Sequence, residues 1–271
     1  MEKLDLTQMI TISLSDEECV HNYPTSIKVF KKVLMDGVPQ CPRCYVENQN
    51  KALETEASEF VKNREYEIKK DTLLNLSILD DETILEARIL NYLTECNETK
   101  LAKEKANNCI SEYLAGKKFN MFLQGTPGAG KSHLGYAILK AINETDFDGS
   151  CLFVSIEKMI RMIKNSFNDK SSQYSEEYFV NLLSNVDFLV MDDLGAETGS
   201  IDTNKTATDF VSRILYAVYN ARQGKSTITT TNLSGESMYQ LYDKKTISRM
   251  SSNCTYIIFK EISDKRKKLP F

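Results

Sequence analysis

Residues 125–132, Gly125-Thr126-Pro127-Gly128-Ala129-Gly130-Lys131-Ser132, fit the phosphate-binding pattern G-x-x-x-x-G-K-S/T at every constrained position. Gly128 and Gly130 let successive backbone N–H groups turn toward phosphate oxygens, a conformation that a Cβ hinders. Lys131 can reach the β- and γ-phosphates, and the Ser132 hydroxyl can ligate Mg2+. A second cluster, Asp192-Asp193, closes the apolar run Asp187-Phe188-Leu189-Val190-Met191. Asp192 suits Mg2+, and Asp193 suits the orientation or deprotonation of an attacking water. Asn232 closes the β-branched run Thr227-Ile228-Thr229-Thr230-Thr231. It reads either as a partner of the γ-phosphate or water, or as an ordinary strand-to-turn residue. Arg249, in Ile247-Ser248-Arg249-Met250, reads either as a surface arginine or as a finger for phosphoryl-transfer charge, in its own site or a neighbour's.

Such groups work only if strands and helices bring them together. Phe119 to Gln124 is short and apolar enough for a buried strand, and Leu134, Ala137, Ile138, Ala141 and Ile142 recur at helical spacing after the loop. The helix starting near Lys131 would aim its unpaired N–H groups at the anion. Four more strand-like runs follow: Cys151 to Ile156, Val186 to Met191, Ser226 to Thr231 and Thr255 to Lys260. Helical stretches separate them, which predicts a five-stranded parallel sheet with helices on both faces. Upstream, a helix is expected from Ile78 through Leu90, and another through Ala106, Cys109, Ile110, Tyr113 and Leu114 that stops at Gly116. His133 falls on the helix after the loop and reads as a packing or capping residue.

Three zones organise the 271 residues. Residues 1–50 form a small domain, 51–72 a charged helical linker without Gly or Pro, and 73–271 an α/β domain. Cys41-Pro42-Arg43-Cys44 supplies half of a zinc site, and Cys19 and His21 can complete a four-ligand set. The Cys19-Val20-His21 spacing is one residue tighter than the usual C-x-x-H, and plain thiols stay open as the other reading. Cys96, Cys109, Cys151 and Cys254 are expected as small core residues. The net charge of −4 argues against a nucleic-acid coat protein but leaves room for a local DNA track. Lys158, Arg161 and Lys164, at i, i+3 and i+6, are one such track or a solvated helix face; Lys265-Arg266-Lys267-Lys268 is another basic run. No apolar run approaches the ~20 residues of a membrane span. No basic segment followed by an apolar core opens the chain, so a cytoplasmic protein is expected.

Together the residues Gly125 to Leu134 (GTPGAGKSHL), Met191 to Glu197 (MDDLGAE), Thr230 to Leu233 (TTNL) and Ser248-Arg249-Met250 resemble an AAA+ ATPase, and within that group the DnaC/DnaI type of bacterial and phage helicase loader. The resemblance covers roughly residues 73–271. It implies an ATP- and Mg2+-dependent ATPase that engages a hexameric DnaB-type replicative helicase, assembles on it and helps place it on single-stranded DNA. It also implies no C-terminal helical lid after the last strand. The nucleotide contacts would come from Gly125, Thr126, Pro127, Gly128, Ala129, Gly130, Lys131, Ser132 and His133. Catalysis would fall to Lys131, Asp192, Asp193, Asn232 as sensor-1 and Arg249 as arginine finger, with Arg266 a second arginine. The usual Walker B glutamate is replaced by Asp193, and Glu197 nearby leaves open which carboxylate polarises water. Phage-type loaders often begin with a similar zinc module. Three other functions fit parts of the pattern: an ATPase helper of a transposase, a small-molecule P-loop kinase, and a zinc-containing DNA-binding module.

Overall fold

The computed structural model describes residues 13–35, 37–169, 171–198 and 207–260. The chain divides into two units, Met1–Glu65 and Tyr66–Phe271.

In the first unit, strands β1 (Ser13–Tyr23) and β2 (Ser26–Met35) form an antiparallel hairpin across Pro24-Thr25, and β3 (Val38–Gln40) pairs with β2. Helix α1 (Pro42–Asn75) follows at once. Proline suits the first helical position, where its missing N–H has no intrahelical partner to lose. The unit has almost no apolar interior: among its described residues only Cys41 is buried. The charged stretch expected as a helix over 51–72 lies inside α1.

The second unit is built on a five-stranded parallel sheet in the order β5-β6-β7-β4-β8. These strands are β4 (Asn120–Gly125), β5 (Cys151–Ser155), β6 (Phe188–Leu194), β7 (Ser226–Thr231) and β8 (Cys254–Phe259). Alternate side chains serve opposite faces. On β6, Leu189 and Met191 pack with α4 (Ile156–Ser166), α5 (Glu176–Asn185) and α6 (Asp209–Ala221). Phe188 and Val190 pack on the other face with α2 (Asn97–Leu114) and α3 (Lys131–Asn143). Two short helices, α7 (Gly235–Leu241) and α8 (Lys244–Met250), lead into β8. All five expected strands are present; four lie within one residue of their expected limits, and β6 starts two residues later than expected and runs three residues further.

One segment departs from expectation. The helix expected from Ile78 to Leu90 is absent; only a 3-10 turn spans Glu82–Glu86. Ile78 instead bridges to Val154, donating its N–H to Phe153 O at 2.8 Å and accepting from Ser155 N at 2.8 Å. Strand β5 lies at the sheet edge, and its backbone groups need partners. Sheet pairing therefore outcompetes the local helical period, and Ile84, Leu85 and Ile89 still reach the core as partly buried side chains. Cys109 and Cys151 are buried as expected and Cys254 is half-buried, but Cys96 is exposed just before α2.

Candidate nucleotide-binding site and metal centre

Strand β4 lies inside the sheet, between β7 and β8, so its carboxyl end delivers the glycine loop to the crevice above the sheet. Gly130 takes φ 87° immediately before α3, and a Cβ there would press on the Tyr92 ring at 3.1 Å. The loop thus passes from strand to helix N-terminus beneath Tyr92 without a side chain in the way. Lys131 is almost fully buried, and its ammonium donates to Gly125 O (3.0 Å), Thr126 O (2.9 Å) and Asn232 Oδ1 (2.6 Å). That last contact ties the start of α3 to the residue just after β7.

A cavity of about 460 Å3 opens here. Gly128, Gly130, Lys131, Ser132, His133, Asp192, Asp193 and Asn232 line one side. The other side comes from the 79–93 segment, including Leu79, Ile84, Tyr92 and Leu93, together with Phe153. Among the described residues Lys131 is the only lysine or arginine in this lining. Of the other loop residues, Ala129 is fully buried in the core, and Thr126 and Pro127 are exposed at the rim. His133 turns its ring to Asn91 Oδ1 (3.0 Å) and Arg88 O (3.3 Å), tying α3 to the 79–93 segment.

Asp192 is buried, and burial together with the neighbouring Asp193 charge raises its carboxyl to about 7. Hydrogen bonds from Thr230 and Ser132 and the Lys131 charge act the other way. A carboxylate and a hydroxyl in contact, at the mouth of a phosphate loop, are the hard oxygen donors Mg2+ takes from a protein when phosphates and water complete its shell. Asp193 has a left-handed backbone, φ 57°, and lines the cavity. Glu197 is absent from the lining. Its carboxylate accepts the Gly195 N–H at 2.9 Å and the Tyr242 hydroxyl, and burial pushes its pKa up. Of the two carboxylates left open by the sequence, Asp193 is the one that faces the cavity.

Arg249 is exposed in the last turn of α8 and is not among the cavity residues. Lys158 and Arg161 are not a free track: Lys158 donates to Leu79 O (2.6 Å), and Arg161 pairs with Glu157 (3.3 Å) and Asp80 (3.5 Å). Lys164 is exposed. Arg266 and the basic run 265–268 lie outside the described residues. The helix expected over 78–90 hides the part of this wall that those residues build, no sequence signal marks Asn91, Tyr92 and Leu93, and Thr230 resembles its β-branched neighbours.

Within the first unit, Cys19, His21, Cys41 and Cys44 converge, with all four ligand atoms within 4.8 Å of one another. Cys19 Sγ lies 3.7 Å from Cys44 Sγ, and His21 Nε2 lies 3.4, 3.3 and 3.5 Å from the sulfurs of Cys19, Cys41 and Cys44. A tetrahedral zinc with the usual bond lengths sets S···S edges of about 3.8 Å and S···N edges of about 3.6 Å, so the four residues fit that ion. The tight Cys19-x-His21 spacing is the right one here. Both residues lie on β1, where positions two apart share a face. Burial raises the Cys41 thiol, but N–H groups of Cys44 and Arg43 and contacts with His21 and Cys19 outweigh it and bring it down to about 7. A helix N-terminus favours the thiolate, the form that binds metal.

The replicative helicase loader DnaC of Escherichia coli K12 is 31% identical over 171 residues, 62% of this chain and 65% of that protein. The chain thus spans just under two thirds of the length of this curated relative. Among solved structures, the DnaC helicase loader matches with a TM-score of 0.54 at 21% identity, over 66% of this chain and 99% of that one. DnaI matches with a TM-score of 0.55 at 21% identity, over 67% and 95%. At those identities the likeness is one of fold, a parallel sheet with helices on both faces. The family described as the bacterial DnaA ATPase domain matches residues 90–254. That span is more than half of the chain and takes in the glycine loop, both aspartates, Asn232 and Arg249, so the chain belongs to the bacterial DnaA ATPase domain family.

Proposed function

We propose that this protein is an ATP-dependent loader that places a hexameric DnaB-type replicative helicase on single-stranded DNA. The observation that carries the nucleotide part is the convergence of Lys131, Ser132, Asp192, Asp193 and Asn232 on one cavity at the carboxyl ends of β4, β6 and β7. The 31% identity to a protein named as a replicative helicase loader supports the rest.

In this reading the loop N–H groups and Lys131 hold the phosphates. Ser132 and Asp192 hold Mg2+, which neutralises phosphate charge. Asp193 accepts the proton of, or orients, the attacking water, and Asn232 exchanges its contact with Lys131 for one to the γ-phosphate or that water. Arg249, exposed on α8 and not among the lining residues of its own cavity, serves the cavity of a neighbouring copy assembled on the helicase. Zinc on Cys19, His21, Cys41 and Cys44 is the structural centre of the first unit, where only Cys41 is buried among the described residues.

The test is a loading assay with purified protein, the replicative helicase of the same cell, and a closed single-stranded circle carrying an annealed strand. Strand release should require both the protein and ATP, and Lys131→Ala should abolish the stimulation. Stimulation that persists without ATP, or equally with Lys131→Ala, would overturn the reading.

A further inference from the structure

The ladder between β6 and β7 pairs Met191 with Thr229 and next Leu194 with Thr231. Asp192 and Asp193 therefore stand opposite a single residue, Thr230, across a bulge. Such an insertion re-aims side chains and takes a backbone N–H out of the ladder. Here the displaced group is the N–H of Asp193, whose φ has turned to 57°.

Thr230 answers both consequences. It is fully buried. Its hydroxyl donates to Asp192 Oδ1 at 2.6 Å and accepts the Asp193 N–H at 2.8 Å. One proton and one lone pair satisfy the two contacts at the same time, so each fixes the other's direction. Valine would fill nearly the same volume with neither contact, leaving the partly buried Asp193 N–H and one edge of the buried Asp192 carboxylate without that partner.

We propose that Thr230 is the positioning residue of the acidic pair. Its hydroxyl closes the β6 bulge, and so sets the direction of the Asp192 carboxylate toward the divalent cation and of Asp193 toward the water. This inference rests on the nucleotide reading given above.

The experiment is a Mg2+ titration of fluorescent ATP-analogue binding by the full chain, with Thr230→Val and Thr230→Ser beside wild type and thermal unfolding as a check of folding. Residues that orient metal ligands typically cost roughly 10- to 100-fold in metal affinity when changed, and that is the expected rise in the half-saturating Mg2+ for Thr230→Val. Thr230→Ser, which keeps the hydroxyl, should titrate close to wild type. Nucleotide affinity without Mg2+ should be the same in all three, because Lys131 and the loop are untouched. A purely structural residue would lower the unfolding midpoint and leave the Mg2+ titration of the folded protein in place. A folded Thr230→Val with the wild-type titration overturns the inference alone. Wild type with no Mg2+-dependent binding overturns both it and the nucleotide reading. If Thr230→Val does not fold, Thr230→Cys, similar in size and a poorer hydrogen-bond partner, must show the same rise, and a wild-type titration in it is equally fatal.

Discussion

At Asp193 a non-glycine residue sits in the left-handed region, and it faces the cavity while Glu197, four residues on, faces the protein. Both Glu197 oxygens have partners, the Gly195 N–H and the Tyr242 hydroxyl. A carboxylate held that way braces the loop after β6 and has little freedom to meet a water. Asp193→Asn should therefore keep Mg2+-nucleotide binding and lose about 10²- to 10⁴-fold in turnover, the usual worth of a general base. Glu197→Gln should keep most of the turnover and lower stability by about 1 kcal/mol, the net value of a weakened hydrogen bond. Single-turnover ATP hydrolysis with thermal melts on both variants decides it, and the reverse ranking would transfer the role to Glu197.

Among the elements, the first hairpin and the start of α1 hold the clearest dependence on a metal. The four ligands come from β1, from the residue before α1 and from its first turn, and among the described residues of this unit only Cys41 is buried. Freshly purified protein should carry about one zinc per chain. Chelation or Cys41→Ser should release it and unfold the first unit, while nucleotide still binds the second. Metal analysis and circular dichroism with a nucleotide-binding assay read both effects, and metal-free protein with an intact first unit would contradict the prediction. Much of this scale was legible in the sequence. The five strands are short apolar or β-branched runs set between helical stretches, and the glycine loop names its own flanks. The 78–90 segment was not legible, because its apolar spacing fits a helix while the partner that decides the outcome, the edge of β5, is remote in sequence. The β6 bulge was hidden for the same reason: it exists only in the register against Thr230. The Lys158–Arg161–Lys164 track looked free because Leu79 and Asp80, which engage two of its members, are some 80 residues away.

For the whole molecule, the cavity's charge is informative. Lys131 is the only lysine or arginine that lines it among the described residues, and Arg249 stands exposed elsewhere on the second unit. Phosphoryl transfer builds charge that a P-loop lysine and Mg2+ do not fully offset, and an arginine from a neighbour typically adds ~10³–10⁵ in rate. On the proposed function, sites are completed between copies, with the helicase as the template on which they gather. The direct measurement is ATP turnover by Lys131→Ala and Arg249→Ala, each alone and mixed in equal amounts, with and without the helicase. Arg249→Ala alone should bind ATP without turning it over, and Lys131→Ala should do neither. The mixture should regain part of the wild-type rate, because an intact loop can then meet an intact arginine. If Arg249→Ala turns over normally, or the mixture stays at the level of its components in both settings, completion of one copy's site by another's Arg249 is contradicted.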